Sequence, residues 1–175
     1  MSVKHYLLNK SLKKSKTYYD RSLPKDYASI RKEQAKQEKS ITDVDISFIS
    51  LKTSSYEYLS LENNDQDTLL IYIHGGGFIF GSSALRRSLT TFIVKDLKYN
   101  VASINYRLAP EYKYPTQIED CLEAYIDIIK KYKNKNVFLI GESAGGNLVL
   151  ALAMLLRDKK LPQPKGLILF SPVTQ

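Results

Sequence analysis

An α/β fold, with a mainly parallel sheet and helices on both faces, is what this 175-residue sequence predicts. Two observations carry the prediction. Apolar runs of strand length alternate with longer segments whose apolar residues recur at helical spacing, the order that builds βαβ units. The runs Leu69–Ile73 and Val137–Ile140 are also apolar almost without a break. Strands covered on both faces read this way, whereas a sheet with one wet face alternates.

Residues 1–40 stand apart from this pattern. They hold eleven Lys/Arg against four acids, which accounts for +7 of the net +8. Their polar, lysine-rich pattern, broken at Pro24, predicts two short helices, with a boundary near Ser40. Beyond it Val44, Ile46 and Phe48 alternate with Asp43, Asp45 and Ser47, as in a half-buried strand. Tyr56 and Tyr58 suggest a second strand, and the polar stretch 62–67 a turn before the buried strand at Leu69–Ile73.

A glycine-rich loop follows, and then Leu85, Leu89, Phe92, Ile93 and Leu97 mark a helix. Val101–Tyr106 is the next strand. Ile118, Cys121, Leu122, Tyr125, Ile126, Ile129 and Tyr132 mark an amphipathic helix, with Glu119 and Asp120 early and Lys130, Lys131 and Lys133 late, in keeping with the helix dipole. Val137–Ile140 leads into a helix at Asn147–Leu156, apolar enough to be buried nearly all round. Pro162 and Pro164 then break the chain before a last strand, Leu167–Phe170.

Composition narrows the class. With 43% hydrophobic and 25% charged residues the chain reads as a soluble globular protein. It has no apolar run near the ~18–20 residues of a membrane span, so stable membrane insertion is not expected. The first ten residues lack the apolar core of a secretory signal. Cys121 is the single cysteine, which excludes an internal disulfide; it is expected to be a buried small residue on a helix, and a cytoplasmic location is expected with it. The basic arm, without an aromatic–basic motif or heptad, reads as a solvated segment rather than a nucleic-acid interface. No cofactor and no metal is expected.

Three motifs carry chemistry. Gly141-Glu142-Ser143-Ala144-Gly145 has the G-x-S-x-G form of a nucleophile elbow, between a strand and a helix as the motif requires. The helix beginning at Ala144 brings free N–H groups and a positive dipole end beside Ser143. His74-Gly75-Gly76-Gly77-Phe78 follows a buried strand and exposes successive backbone N–H groups that can converge on one oxygen, as an oxyanion hole needs. A phosphate-cradling loop fits less well, because no Gly-Lys-Ser/Thr follows and Gly81 misses the G-x-G-x-x-G register. In Tyr106-Arg107-Leu108-Ala109-Pro110-Glu111, Arg107 and Glu111 are placed to form an ion pair that braces the loop.

In this order and at these separations, the three motifs resemble the hormone-sensitive-lipase branch of the α/β-hydrolases, over about residues 68–174. The resemblance implies a carboxylic-ester hydrolase acting on small acyl or aryl esters through a serine nucleophile and an acyl-enzyme. It implies Ser143 as nucleophile and Gly76, Gly77 and Ala144 as oxyanion donors, with His74, Gly75 and Glu142 as supporting motif residues. His74 would steady the glycines by hydrogen bonding rather than act as the base, and His5 would be solvated. Residues 1–40 would match a helical cap and 41–175 a partial α/β-hydrolase domain. Phe78 and Phe80 hint at an apolar pocket wall.

The family's catalytic acid and histidine follow two further strands, whereas only Asp158 and no histidine follow Ala144. The expectation is a truncated core with an incomplete triad and little turnover alone, its edge at Leu167–Phe170 open to pairing with another chain. Two alternatives stand beside the ester hydrolase: a half-enzyme completed by a second polypeptide, and a non-catalytic acyl-binding or regulatory protein.

Overall fold

The computed structural model describes residues 26–37, 43–133 and 136–174. The first of the two helices expected before Ser40, the break at Pro24 and the boundary itself lie outside these residues. The second is present as α1, Tyr27–Ala35, capped by Asp26, whose carboxylate accepts from the Ser29 N–H.

Six strands follow: β1 Asp45–Ser50, β2 Ser55–Ser60, β3 Asp65–Ile73, β4 Tyr99–Asn105, β5 Asn136–Glu142 and β6 Gly166–Phe170. They form one sheet in the order β1-β2-β4-β3-β5-β6. β1 and β2 pair antiparallel with each other and β2 with β4, while β4, β3, β5 and β6 run parallel. Three helices join the parallel strands: α2 Arg87–Asp96, α3 Thr116–Tyr132 and α4 Ala144–Asp158. The predicted architecture, a mainly parallel sheet with helices on both faces, is the one observed.

The pleat divides the core in two. Leu69, Ile71 and Ile73 of β3 point with Val137 and Leu139 toward α3 and α4, where Cys121, Ala124, Ile128, Leu148, Val149 and Leu152 are buried. Leu70, Tyr72 and Ile140 point the other way, to Ile93 and Val94 of α2. Strands that feed both clusters must be apolar at every position, which is why Leu69–Ile73 shows no alternation. Cys121 is fully buried on α3, and burial pushes its thiol pKa up, so it behaves as a small apolar residue.

Several sequence readings need correction. Phe48, predicted to face inward on β1, is 63% exposed. β1 is an edge strand, and its apolar contacts are made by Ile46 and Ile49, which reach opposite clusters. On α2 the sheet-facing residues are Thr90, Ile93 and Val94, while Leu89, Phe92 and Leu97 stay exposed beside an open groove. β3 begins at Asp65, inside the stretch read as a turn, with a register shift against β4 before Leu69. The pair Arg107–Glu111 does not form. Arg107 bonds instead to the buried carboxylate of Asp120, through Nε at 2.9 Å and Nη2 at 2.7 Å, and its own N–H adds another bond at 2.9 Å. A buried carboxylate needs that cation more than an exposed one does. Glu111 pairs with Arg31 of α1.

Candidate active site

All three motifs sit at the carboxyl ends of adjacent parallel strands. Ile73 of β3 is in register with Ile104 of β4 on one side and Gly141 of β5 on the other. The loops starting at His74, Tyr106 and Glu142 therefore leave the sheet along one edge, where open α/β sheets build their sites.

Ser143 occupies the turn between β5 and α4 with φ 51° and ψ −119°, a strained conformation for a residue with a Cβ. Its backbone is fastened on both sides. Its N–H donates to the Phe170 carbonyl at 2.9 Å, and its carbonyl accepts from Val173 at 3.1 Å and Asn147 at 3.2 Å. The turn closes only because side chains are missing around it: a Cβ on Gly145 would lie 2.1 Å from the Ile73 carbonyl oxygen.

The glycine loop lies against this turn. A Cβ on Gly75 would meet the Ser143 Cβ at 3.2 Å and the Glu142 carbonyl oxygen at 2.8 Å. Gly76 and Gly77 have φ of 119° and 63°, and the Gly76 carbonyl accepts from Ile79 and Phe80, closing a tight turn. Among the described residues, the N–H groups of Gly76 and Gly77 make no hydrogen bond, and the Ala144 N–H opens a helix and has no intrahelical acceptor. They are the three N–H groups that the family resemblance implies as oxyanion donors.

His74 is 1% exposed, with its ring stacked on Tyr106 at 4.3 Å. Nδ1 lies 2.8 Å from the Gly75 carbonyl, an acceptor, so the proton sits on Nδ1. The Tyr106 hydroxyl donates to the His74 carbonyl at 2.8 Å. Burial, with the nearby Arg86 charge, pushes the imidazole pKa down to about 4, so it is neutral at pH 7. Its one described hydrogen bond holds the glycine loop.

Sequence reasoning named Glu142 as a supporting motif residue but missed its partners beneath the elbow. Glu142 accepts from Arg86 Nε, from the Tyr72 hydroxyl at 3.0 Å and from the Gly75 N–H at 3.5 Å. Burial pushes its carboxyl pKa up, but the Arg86 hydrogen bond and charge outweigh this and leave it below the usual carboxylate range. Arg86 lies in a single 3₁₀ turn, Ala84–Arg86, and Tyr72 belongs to the apolar run of β3. Neither carries a local signal of this contact.

Beside the elbow is a pocket of about 290 Å³ lined by Gly77, Phe78, Ile79, Ala109, Ile118 and Leu148, among others. Phe78 is a pocket wall as expected; Phe80 does not line it. The larger concavity, about 700 Å³, lies on the α2 face of the sheet between α2 and β6. It is a groove over bare sheet, away from the donors. Among the described residues no cluster of His, Cys, Asp and Glu could hold a metal ion.

The family model for the alpha/beta hydrolase fold matches residues 70–175, which include all three motifs. This chain belongs to the α/β-hydrolase fold family. Several of its relatives are esterases, and its structural neighbours include esterases and hormone-sensitive-lipase family members. An esterase from Acinetobacter venetianus is 37% identical over 105 residues, covering 59% of this chain and 35% of its own length. An arylesterase from Saccharolobus solfataricus is 38% identical over 99 residues, 53% of this chain and 32% of the relative. A solved hormone-sensitive lipase from a metagenome library superimposes with a TM-score of 0.75 at 29% identity, over 87% of this chain and 52% of that one. The α/β-hydrolase chain thus spans about half the length of the solved structures it resembles, and the matched stretch about a third of the curated relatives.

Proposed function

We propose that this α/β-hydrolase chain carries the nucleophile and oxyanion half of a carboxylic-ester hydrolase for small acyl or aryl esters. The observation that supports it most is the strained turn at Ser143, packed against a glycine loop with uncommitted N–H groups. Ser143 Oγ attacks the ester carbonyl. The developing oxyanion accepts from the N–H groups of Gly76, Gly77 and Ala144, aided by the positive end of α4. The alcohol leaves and water releases the acid from the acyl-enzyme. Glu142 and Arg86 hold the loop to the elbow, and His74 stays neutral and structural.

In this reading the base and acid come from outside residues 1–175, from whichever segment completes the fold. The sequence holds two histidines, and His74 is committed to the glycine loop. The open edge of β6 and the apolar groove beside it support a complement that adds to the sheet there. The test is hydrolysis of p-nitrophenyl butyrate by the 175-residue chain, alone and co-expressed with the carboxyl-terminal half of the Acinetobacter esterase. Activity lost in Ser143→Ala, by at least ~10⁴-fold in the complemented form, is expected. Turnover that survives Ser143→Ala would overturn the nucleophile assignment.

A further inference from the structure

α1 has no buried side chain, so apolar packing does not hold it to the hydrolase fold. Its tie is Arg31. The Arg31 Nε donates to the Ile79 carbonyl at 2.7 Å, Nη2 to the Ala109 carbonyl at 2.5 Å, and Nη1 to both oxygens of Glu111 at 2.8 and 3.0 Å. The guanidinium also lies over the Tyr27 ring at 5.0 Å. One planar fork therefore reaches two loops that leave different strands. Ile79 belongs to the glycine loop after β3 and Ala109 to the loop after β4. These loops are already joined by the Ala109 N–H donating to the Phe78 carbonyl at 2.9 Å.

Phe78, Ile79 and Ala109 line the pocket beside the elbow. We propose that Arg31 is a positioning residue for that pocket: it holds the two loops at a fixed separation and so sets which acyl chains the pocket accepts. The inference rests on the ester-hydrolase reading only for the identity of the ligand. A lysine cannot replace the fork, since a single ammonium cannot meet two diverging carbonyls and a carboxylate in one plane. An ordinary surface ion pair would be rescued by lysine; this clasp would not.

Two measurements test it. The first is amide hydrogen exchange in the wild type, Arg31→Ala, Arg31→Lys and Glu111→Gln. Both Arg31 variants should speed exchange at Ile79, Phe80 and Ala109 by roughly tenfold or more while β3 and β5 amides stay as they were. Glu111→Gln, which leaves the two carbonyl bonds, should have a smaller effect. Unchanged loop exchange, full rescue by lysine, or an equal rise through the whole chain would overturn the clasp.

The second uses a Ser143→Ala background, so that no turnover is needed, and compares binding of methyl butyrate and methyl octanoate by saturation-transfer NMR. Adding Arg31→Ala should change the ratio of the two affinities several-fold. An unchanged ratio, or no saturable binding of either ester, overturns the link to the pocket. A changed ratio in a protein whose Ser143 form hydrolyses nothing even when complemented with the carboxyl-terminal half of the Acinetobacter esterase would leave the clasp standing and count against the ester-hydrolase reading instead.

Discussion

At the scale of single residues, burial and close approach decide what each motif position can tolerate. Gly145 leaves no room for a methyl group, since a Cβ there would press on the Ile73 carbonyl. Gly145→Ala is expected to lower stability by about 1–3 kcal/mol, read from the urea midpoint, with the slope unchanged. His74 makes a pH-dependent contribution whose sign follows from its environment. Its pKa is about 4 in the folded chain against 6.5 when unperturbed. Below pH 6.5 the unfolded chain takes up a proton that the folded one refuses. The contribution is full above pH 6.5 and is lost as pH falls toward 4, an effect on the order of 3 kcal/mol. Urea midpoints measured from pH 7.5 down to 4.5 should fall more steeply for the wild type than for His74→Gln. Parallel slopes would show that the imidazole titrates alike in both states.

Between elements, the loop after β4 is held by charge rather than by the Pro110 turn alone. Asp120 is fully buried and takes four bonds from three N–H groups of Arg107 and one from the Thr53 hydroxyl. Removing the cation strands a buried carboxylate, so Arg107→Ala should cost about 3–5 kcal/mol. Glu111→Ala, at an exposed pair, should cost less than about 1 kcal/mol. Thermal or urea unfolding of the two variants checks the ranking, and equal losses would return Arg107 to the loop-bracing role read from sequence. That reading failed for a physical reason. Arg107 and Glu111 are four residues apart, but the chain between them is a loop. Asp120, thirteen residues on, is carried underneath by the first turns of α3. Its place at the start of a helix looked like dipole complementarity, and only burial reveals it as the partner.

For the whole molecule, the strands, their alternation with helices and the elbow's strand–turn–helix setting were legible because each is a local pattern of apolar spacing or backbone need. The faces were less legible. Leu89, Phe92 and Leu97 satisfy a helical period yet border a groove of about 700 Å³ that also exposes Ile168 and Phe170. An apolar residue that packs and one that waits for a partner look the same in sequence. β6 is the sheet edge of the described residues, and its Leu167, Ile168 and Phe170 are exposed. Such a surface favours strand addition. Sedimentation of the purified chain should show concentration-dependent association that Ile168→Lys reduces. A chain that stays monomeric at high concentration without the substitution would remove the edge as an association site.

The sequence by itself determined the fold class, the order of its elements and the three motifs that place this chain among the α/β-hydrolases. These depend on side-chain period and on glycines whose need is set by their immediate neighbours. Only the tertiary structure decided which charges meet. Arg31 with Glu111, Arg107 with Asp120 and Arg86 with Glu142 lie 80, 13 and 56 residues apart. A guanidinium reaches whatever carboxylate the fold brings within hydrogen-bond distance, and that proximity is a property of the sheet order, which no local pattern encodes.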